Sequence, residues 1–192
     1  MIAAGPAHLA LRAATAIEHE RVDAAFGAFD LADRVSYGAF LIAHARTLPA
    51  VEAVLRISAP NADGEAASPR SIAGLPSLRA RTPALRADLA AMDLPSPEPL
   101  PLLPPAGLAD AFGMAYVIEG SRLGGGMLAR RVGAGLPRAY LSSVHLAGEW
   151  RAFHTALDAA QMQAEDPARW LEEAVAVART TFAYYREAAT RG

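Results

Sequence analysis

Alanine is the residue that most constrains the fold of this chain, because it fills 46 of the 192 positions. Alanine is the strongest helix former and is depleted from β-strands. The rest of the composition, with 53% hydrophobic and only 7% aromatic residues, also suits packed helices rather than sheets. A chain of this length buries about two-thirds of the surface that it exposes when unfolded. We therefore predict an all-α protein with a single domain over residues 1–192.

Two residue types are absent: the chain has no cysteine, and all 18 of its basic residues are arginine. Without cysteine it has no disulfides, thiolate metal sites, iron–sulfur clusters or cysteine nucleophiles. Any transition metal would depend on the five histidines and the carboxylates. The net charge of −2 argues against nucleic-acid binding, and no apolar run approaches the roughly 20 residues of a membrane span. Since the N-terminus lacks the basic region of a signal peptide, we expect a cytoplasmic protein.

Helical patterns cover most of the chain, and we predict about six to eight helices. The predicted segments are 6–26, 33–57, 82–92, 108–132, 143–163 and 166–190. Asp33 and Asp166 are predicted to cap their helices, and Pro49 to bend or divide the second one. Thr82, which precedes a proline, is predicted to cap the third. Residues 58–77 are rich in small and turn-forming residues and are predicted to form a loop.

Proline defines the connector between the third and fourth predicted helices, because it fills six of the twelve positions 94–105. Proline breaks helix interiors, so we predict an extended surface segment there. This connector lies within one domain, because neither flank has enough apolar helix to form a core of its own.

A cluster of glycines lies inside the fourth predicted helix. Gly120, Gly124, Gly125 and Gly126 fall within seven residues, although each glycine costs about 0.5–1 kcal/mol relative to alanine inside a helix. Two explanations stay open: close packing against another helix, or close approach of the backbone to a flat ligand. The cluster is not a phosphate-binding loop, because it lacks Gly-Lys-Ser/Thr and does not follow a strand.

His19 is the histidine with the most informative neighbour in the sequence. Asp23 lies four residues later, on the same face of a helix. A carboxylate on one ring nitrogen is the usual means of orienting a metal-ligating histidine, although an ordinary exposed His–Asp pair has the same spacing. One histidine cannot build a zinc site, but it is all that a five-coordinate haem needs from the protein.

Three segments together resemble the haem oxygenase family. The proximal-helix motif of that family is similar to LRAATAIEH over residues 11–19, and the distal-helix motif of its bacterial, biliverdin-producing branch to AYVIEGSRLGG over residues 115–125. The family's last core helix is similar to ARTTF over residues 178–182. The resemblance covers most of the chain in the right order. It implies an all-α haem oxygenase-like fold, with haem between an N-terminal helix and a kinked, glycine-rich distal helix.

The resemblance implies roles for the iron ligand and for the distal residues. His19 would be the proximal ligand of the haem iron, and Asp23 would stand beside it where the family commonly has glutamate. Gly120 and Gly124 would bring the distal helix backbone against the porphyrin and leave room for O2. Ser121 occupies the position at which mammalian relatives carry an aspartate that organises the distal water. It is implied, with these two glycines, to be catalytic.

The remaining implied residues contact haem itself. Arg12 and Tyr116 match positions that hold the haem propionates, and arginine suits that task through bidentate, charge-assisted contacts. Gly125 would belong to the close approach of the distal helix, and Phe182 would pack on the haem edge from the last helix. In a chain without lysine, any cationic contact with the propionates falls to arginine.

The implied function is cleavage of haem, by O2 and electrons, to biliverdin, CO and free iron, with haem as both substrate and cofactor. An external electron donor, a reductase or ferredoxin, is implied because the sequence has no flavin, NAD or iron–sulfur signature. Whether the product serves iron acquisition or a bilin-binding photoreceptor downstream stays open. Two alternatives remain: a non-enzymatic protein of the same fold that stores, delivers or senses haem, and a thiaminase-like domain for another small ligand.

The other four histidines have no comparable context in the sequence. His8 is predicted to be a surface residue near the terminus, and His44, on an apolar stripe, a core histidine. His154 is a minor candidate for a propionate contact, and His145 has no predicted role.

Overall fold

The structure, a computed structural model, describes residues 6–57 and 72–191, and this part contains nine α-helices and no β-strand. The helices are α1 (Ala7–Ala14), α2 (Ala16–Gly27), α3 (Arg34–Ala45), α4 (Leu48–Val54), α5 (Thr82–Ala91), α6 (Leu108–Ala129), α7 (Ala139–Ser142), α8 (Glu149–Gln163) and α9 (Pro167–Thr190). The all-α prediction is confirmed. The described helices share one hydrophobic core, whereas the single domain over 1–192 stays a prediction.

The first predicted helix is divided into α1 and α2 at Thr15, whose backbone (φ −109°, ψ 8°) leaves the helical region. The Thr15 hydroxyl donates to the Leu11 carbonyl at 2.7 Å. Arg179 of α9 donates two hydrogen bonds, of 3.1 and 2.8 Å, to the Ala14 carbonyl. An unbroken helix would satisfy that carbonyl itself, so α9 supports the break from outside.

The second predicted helix is also divided, and here Pro49 acts as expected by standing in the first turn of α4. Asp33 caps α3, because its carboxylate accepts a hydrogen bond of 2.8 Å from the Ser36 N–H. Asp166 caps α9 in the same way, accepting from the Arg169 N–H at 3.0 Å. These predictions are confirmed, since each depends on residues within one turn.

The cap predicted for Thr82 is wrong, because Thr82 is the first residue of α5 and makes no capping bond. Instead the Glu52 carboxylate of α4 accepts from the N–H groups of Arg81 and Thr82, at 2.6 and 3.1 Å. A carboxylate from another helix therefore satisfies the first amides of α5.

Residues 94–105 form no helix, as predicted, and cross the surface between α5 and α6. The Leu100 N–H donates to the Arg46 carbonyl at 2.7 Å, and the Tyr184 hydroxyl donates to the Leu100 carbonyl. Of the loop predicted over 58–77, residues 58–71 lie outside the described part, and 72–77 include a turn.

The predicted start of the fifth helix at Ser143 is wrong, because α8 begins at Glu149. Residues 143–148 are irregular and end at Gly148, whose φ of +88° is left-handed. None of the described helices combines the length and the apolar character that crossing a membrane requires.

Helix α9 packs against both α2, which carries His19, and α6, which carries the glycine cluster. The α6–α9 contact is very close at Gly113, where a Cβ atom would lie only 2.4 Å from the Ala174 carbonyl oxygen. Helix α2 has no fully buried residue, so one side of it is left open. Helix α6 runs without a break from Leu108 to Ala129, and the kink predicted in it stays a prediction.

His44 is a core residue, as predicted, and its Nδ1 lies 2.9 Å from the Tyr140 hydroxyl. Burial lowers the pKa of His44 to about 3, and the nearby Arg81 acts in the same direction. In the unfolded chain a histidine has a pKa of about 6.5. Between these values the unfolded state binds a proton that the folded state does not, so stability falls as the pH falls below about 6.5.

We expect this histidine to contribute a slope of up to about 1.4 kcal/mol per pH unit to the free energy of unfolding below pH ~6. Urea unfolding at several pH values between 7 and 4 measures it, and His44→Phe should flatten the profile. Tyr140→Phe is the matched control, because it keeps the buried imidazole and should keep the slope. Equal slopes in the wild type and His44→Phe would contradict this assignment.

Candidate functional site

The imidazole of His19 lies on the open side of α2, with 59% of its side chain exposed. Its Nδ1 is 3.0 Å from an Asp23 carboxylate oxygen. Since this contact takes Nδ1, Nε2 carries the lone pair and is the nitrogen available to a metal. The ring of Phe182, from α9, packs edge-on against His19 with 5.8 Å between the centroids. The structure thus brings together His19, Asp23 and Phe182, which were predicted from distant parts of the sequence.

One face of α6 is open along its glycine-rich half. Among the described residues outside the backbone of α6 itself, a Cβ atom on Gly124 would meet nothing within 4 Å, and one on Gly120 would meet only the Trp150 ring, at 3.9 Å. Leu123 and Met127 are 57% and 71% exposed and follow the same helical spacing. We call this face the open strip, and it consists of Tyr116, Gly120, Leu123, Gly124 and Met127.

Gly125 faces away from the open strip and serves packing. A Cβ atom there would lie 2.7 Å from the Leu141 carbonyl oxygen of α7. Gly125 thus makes a close contact between α6 and α7, and the haem contact predicted for it stays a prediction. Close packing therefore explains Gly125, whereas Gly120 and Gly124 have open space beside them, and the approach of a ligand to these two stays a prediction.

Tyr116 connects the open strip with the N-terminal helices. Its half-buried phenol lies near the Thr15 hydroxyl, one turn before His19, and near the Arg12 guanidinium, about two turns before His19. Burial raises the pKa of Tyr116, while Thr15 and Arg12 act against that rise. Arg12 is exposed at the end of α1. An exposed arginine beside a phenol is well suited to binding a ligand carboxylate.

Ser121 is held by Arg81, a residue that sequence reasoning missed. The buried Arg81 guanidinium donates to the Ser121 Oγ at 2.8 Å and to the Ile118 carbonyl at 2.6 Å. The Ser121 hydroxyl in turn donates to the Ile118 carbonyl at 2.7 Å. Among the described residues, no carboxylate forms an ion pair with Arg81. No local pattern marks this arginine, because it reaches Ser121 across 40 positions.

A buried ionic group joins α6 to the segment that precedes α8. The Arg122 Nε lies 3.0 Å from both carboxylate oxygens of Glu119, and the His145 Nε2 lies 2.9 Å from one of them. Burial alone would raise the pKa of Glu119, but His145 and Arg122 hold it below its usual value. Arg122 also donates to the Ser143 carbonyl at 3.0 Å. These contacts fix the irregular segment 143–148 against α6.

In the described part of the chain, no three side chains of the metal-ligating types gather in one cluster. His19 would therefore serve a metal as a single protein ligand. This arrangement would suit an iron whose remaining ligands come from a porphyrin rather than from the protein.

Known haem oxygenases resemble this chain in sequence and in fold. No family model matches the chain. A haem oxygenase of Xanthomonas campestris pv. campestris (strain 8004) is 39% identical over 115 residues, which are 56% of this chain and 66% of that protein. The match thus leaves about a third of that relative uncovered. The NO- and CO-bound haem oxygenase of Neisseria meningitidis superposes with a TM-score of 0.75 at 23% identity, covering 97% of this chain and 91% of that one.

Proposed function

We propose that this chain is a member of the haem oxygenase family, to which the two similar proteins belong, and that it binds haem and cleaves it, with O2 and electrons, to biliverdin, CO and free iron. One observation carries the proposal: the exposed His19, oriented by Asp23, and the open strip lie on two helices, α2 and α6, that both pack against α9. When bound, haem supplies both the iron that binds O2 and the ring that is cleaved.

The N-terminal side of the site holds the iron. The Nε2 atom of His19 would bind it, and Asp23 keeps the imidazole in the correct tautomer and orientation. The Phe182 ring, 6% exposed, packs edge-on against the imidazole and would offer an apolar edge to the porphyrin.

The open strip is proposed to contact the porphyrin ring when haem is bound. Gly120 and Gly124 let the backbone approach and leave no side chain where O2 must fit. Leu123 and Met127, which are exposed in the protein alone, gain apolar burial when a flat ligand covers them. This burial also excludes bulk water from the reacting edge.

The polar groups around the strip orient the ligand and its water. Arg12 and Tyr116 are proposed to bind the propionates by charge-assisted hydrogen bonds. The Ser121 Oγ accepts from Arg81 and donates to the Ile118 carbonyl, so its remaining lone pair is left to accept a hydrogen bond from water. We propose that this fixed hydroxyl holds the water that delivers protons on the distal side.

The electrons are proposed to come from an external reductase or ferredoxin, with the reaction taking place in the cytoplasm. No photoreceptor partner is proposed, because neither similar protein is described with one. No observation in the described residues favours the non-enzymatic alternative.

Haemin titration followed by reduction in air tests this function. The purified protein should form a complex with a sharp Soret band, and reductant with O2 should convert it to biliverdin with release of CO. Absence of the Soret band would overturn haem binding. A stable complex that yields no biliverdin would favour the alternative of a non-enzymatic haem-binding protein.

A further inference from the structure

Two histidines lie beside one tryptophan, and a third histidine stacks on one of them. The ring centroids of His145 and His154 lie 5.4 and 4.1 Å from that of Trp150. His8 of α1 stacks on His154 at 4.4 Å with an interplanar angle of 15°. This cluster joins α1 and α8 next to α6, and the proposed function assigns no role to its four rings.

Trp150 borders the open strip. Its Cη2 would lie 3.9 Å from a Cβ atom on Gly120, and its ring centroid is 6.4 Å from that of Tyr116. The indole is partly exposed, whereas the second tryptophan, Trp170, is 9% exposed and packs on Phe112 in the core. A large aromatic ring therefore stands at the edge of the surface proposed to receive haem.

Neighbouring aromatic rings hold the Trp150 indole in position. Phe153, which is 2% exposed, lies parallel to it, with 5.7 Å between centroids and 11° between planes. His154 is held by the stack with His8, whose Nδ1 lies 2.8 Å from the Asp158 carboxylate. Because buried and hydrogen-bonded rings surround it, the indole cannot turn away without breaking several contacts.

The two ends of the open strip therefore differ. The end near Gly120 carries the rigid ring of Trp150, while the other end carries Met127, a flexible side chain that is 71% exposed. A flat ligand on the strip can move toward Met127 by displacing it, but Trp150 blocks movement in the other direction.

We infer that Trp150 is a specificity-determining residue, whose indole limits the rotation and sliding of the porphyrin and so decides which meso edge lies beneath α6. This inference rests on the proposed function. It assigns to Trp150 no part in holding the iron or in transferring protons. Its expected effect is on the product isomer and on how haem is seated, rather than on whether haem binds.

The test compares Trp150→Ala and Trp150→Phe with Trp170→Phe, a matched control that removes the other indole. In Trp150→Ala, the ratio of biliverdin isomers should shift by about three- to tenfold, and Trp150→Phe should fall between it and the wild type. The haem methyl resonances in the proton NMR spectrum of the ferric complexes give a readout without turnover. Trp150→Ala should show additional haem orientations, while Trp170→Phe should match the wild type.

Isomer ratios and NMR spectra of Trp150→Ala that match those of Trp170→Phe would overturn the inference while leaving the proposed function in place. Failure of the wild type and Trp170→Phe to bind haemin would instead overturn the proposed function. If circular dichroism shows that Trp150→Ala is unfolded, Trp150→Phe decides by the same two readouts.

Discussion

Replacement of His19 by alanine is expected to lower haemin affinity and biliverdin formation by at least about 100-fold, since even losing a ligand's hydrogen-bond partner costs about 10- to 100-fold in metal affinity. The reason is that no second histidine stands in a position to replace it: His44 is buried in the core, His145 and His154 lie beside Trp150, and His8 stacks on His154. Soret titration and single-turnover assays under reductant measure the two losses.

The effect should be chemical rather than structural. His19 is 59% exposed, and α2 contains no fully buried residue, so the melting temperature of His19→Ala should match that of the wild type. Free imidazole should restore the Soret band, because it can occupy the vacated position. Asp23→Asn keeps a hydrogen-bonding side chain and should cause a smaller loss. Wild-type turnover by His19→Ala would refute the assignment of the iron ligand.

Most features that depend on residues within one turn were predicted correctly from the sequence, the cap at Thr82 being the exception. Asp33 and Asp166 cap their helices with their own side chains, Pro49 divides the second helix, and the prolines of 94–105 exclude a helix. The pairing of His19 with Asp23 belongs to the same class, because a helix places residues four apart on one face.

The features that sequence reasoning missed depend on partners far away along the chain. The break at Thr15 has no glycine or proline to mark it and is supported by Arg179 from α9. The amides at the start of α5 are satisfied by Glu52, about 30 positions earlier. The start of α8 is different, because a glycine in the local sequence marks it. Gly148 has a left-handed backbone that separates α8 from the preceding segment.

In the candidate site, too, the local features were predicted and those that depend on distant residues were missed. The sequence shows that glycines cluster in one helix, but which of them faces a ligand depends on where α7 and α8 pack. The Leu141 carbonyl closes the space at Gly125, and no atom comes near Gly124. Arg81 and Trp150 reach the site from other helices or loops, and no spacing rule would have connected them with Ser121 or Gly120.

The same substitution at two adjacent glycines is therefore expected to change stability in opposite directions. Gly125→Ala would place a Cβ atom 2.7 Å from a backbone carbonyl oxygen, and such overpacking costs about 1–3 kcal/mol. Gly124→Ala adds a methyl group to open space inside a helix and should stabilise the fold by about 0.5–1 kcal/mol. Urea unfolding of the two variants without haemin measures both changes.

A larger side chain at Gly124 should then separate folding from activity. Gly124→Leu should fold at least as well as the wild type, because leucine is a good helix former and nothing lies within 4 Å of the position. Its side chain would fill the space proposed for haem and O2, so biliverdin formation should fall by about 10- to 100-fold, the rate equivalent of an overpacking cost of ~1–3 kcal/mol. A well-folded Gly124→Leu with wild-type turnover would show that the open strip is not where haem binds, even if His19 holds the iron. Loss of turnover without loss of stability would place the reacting ligand directly against α6.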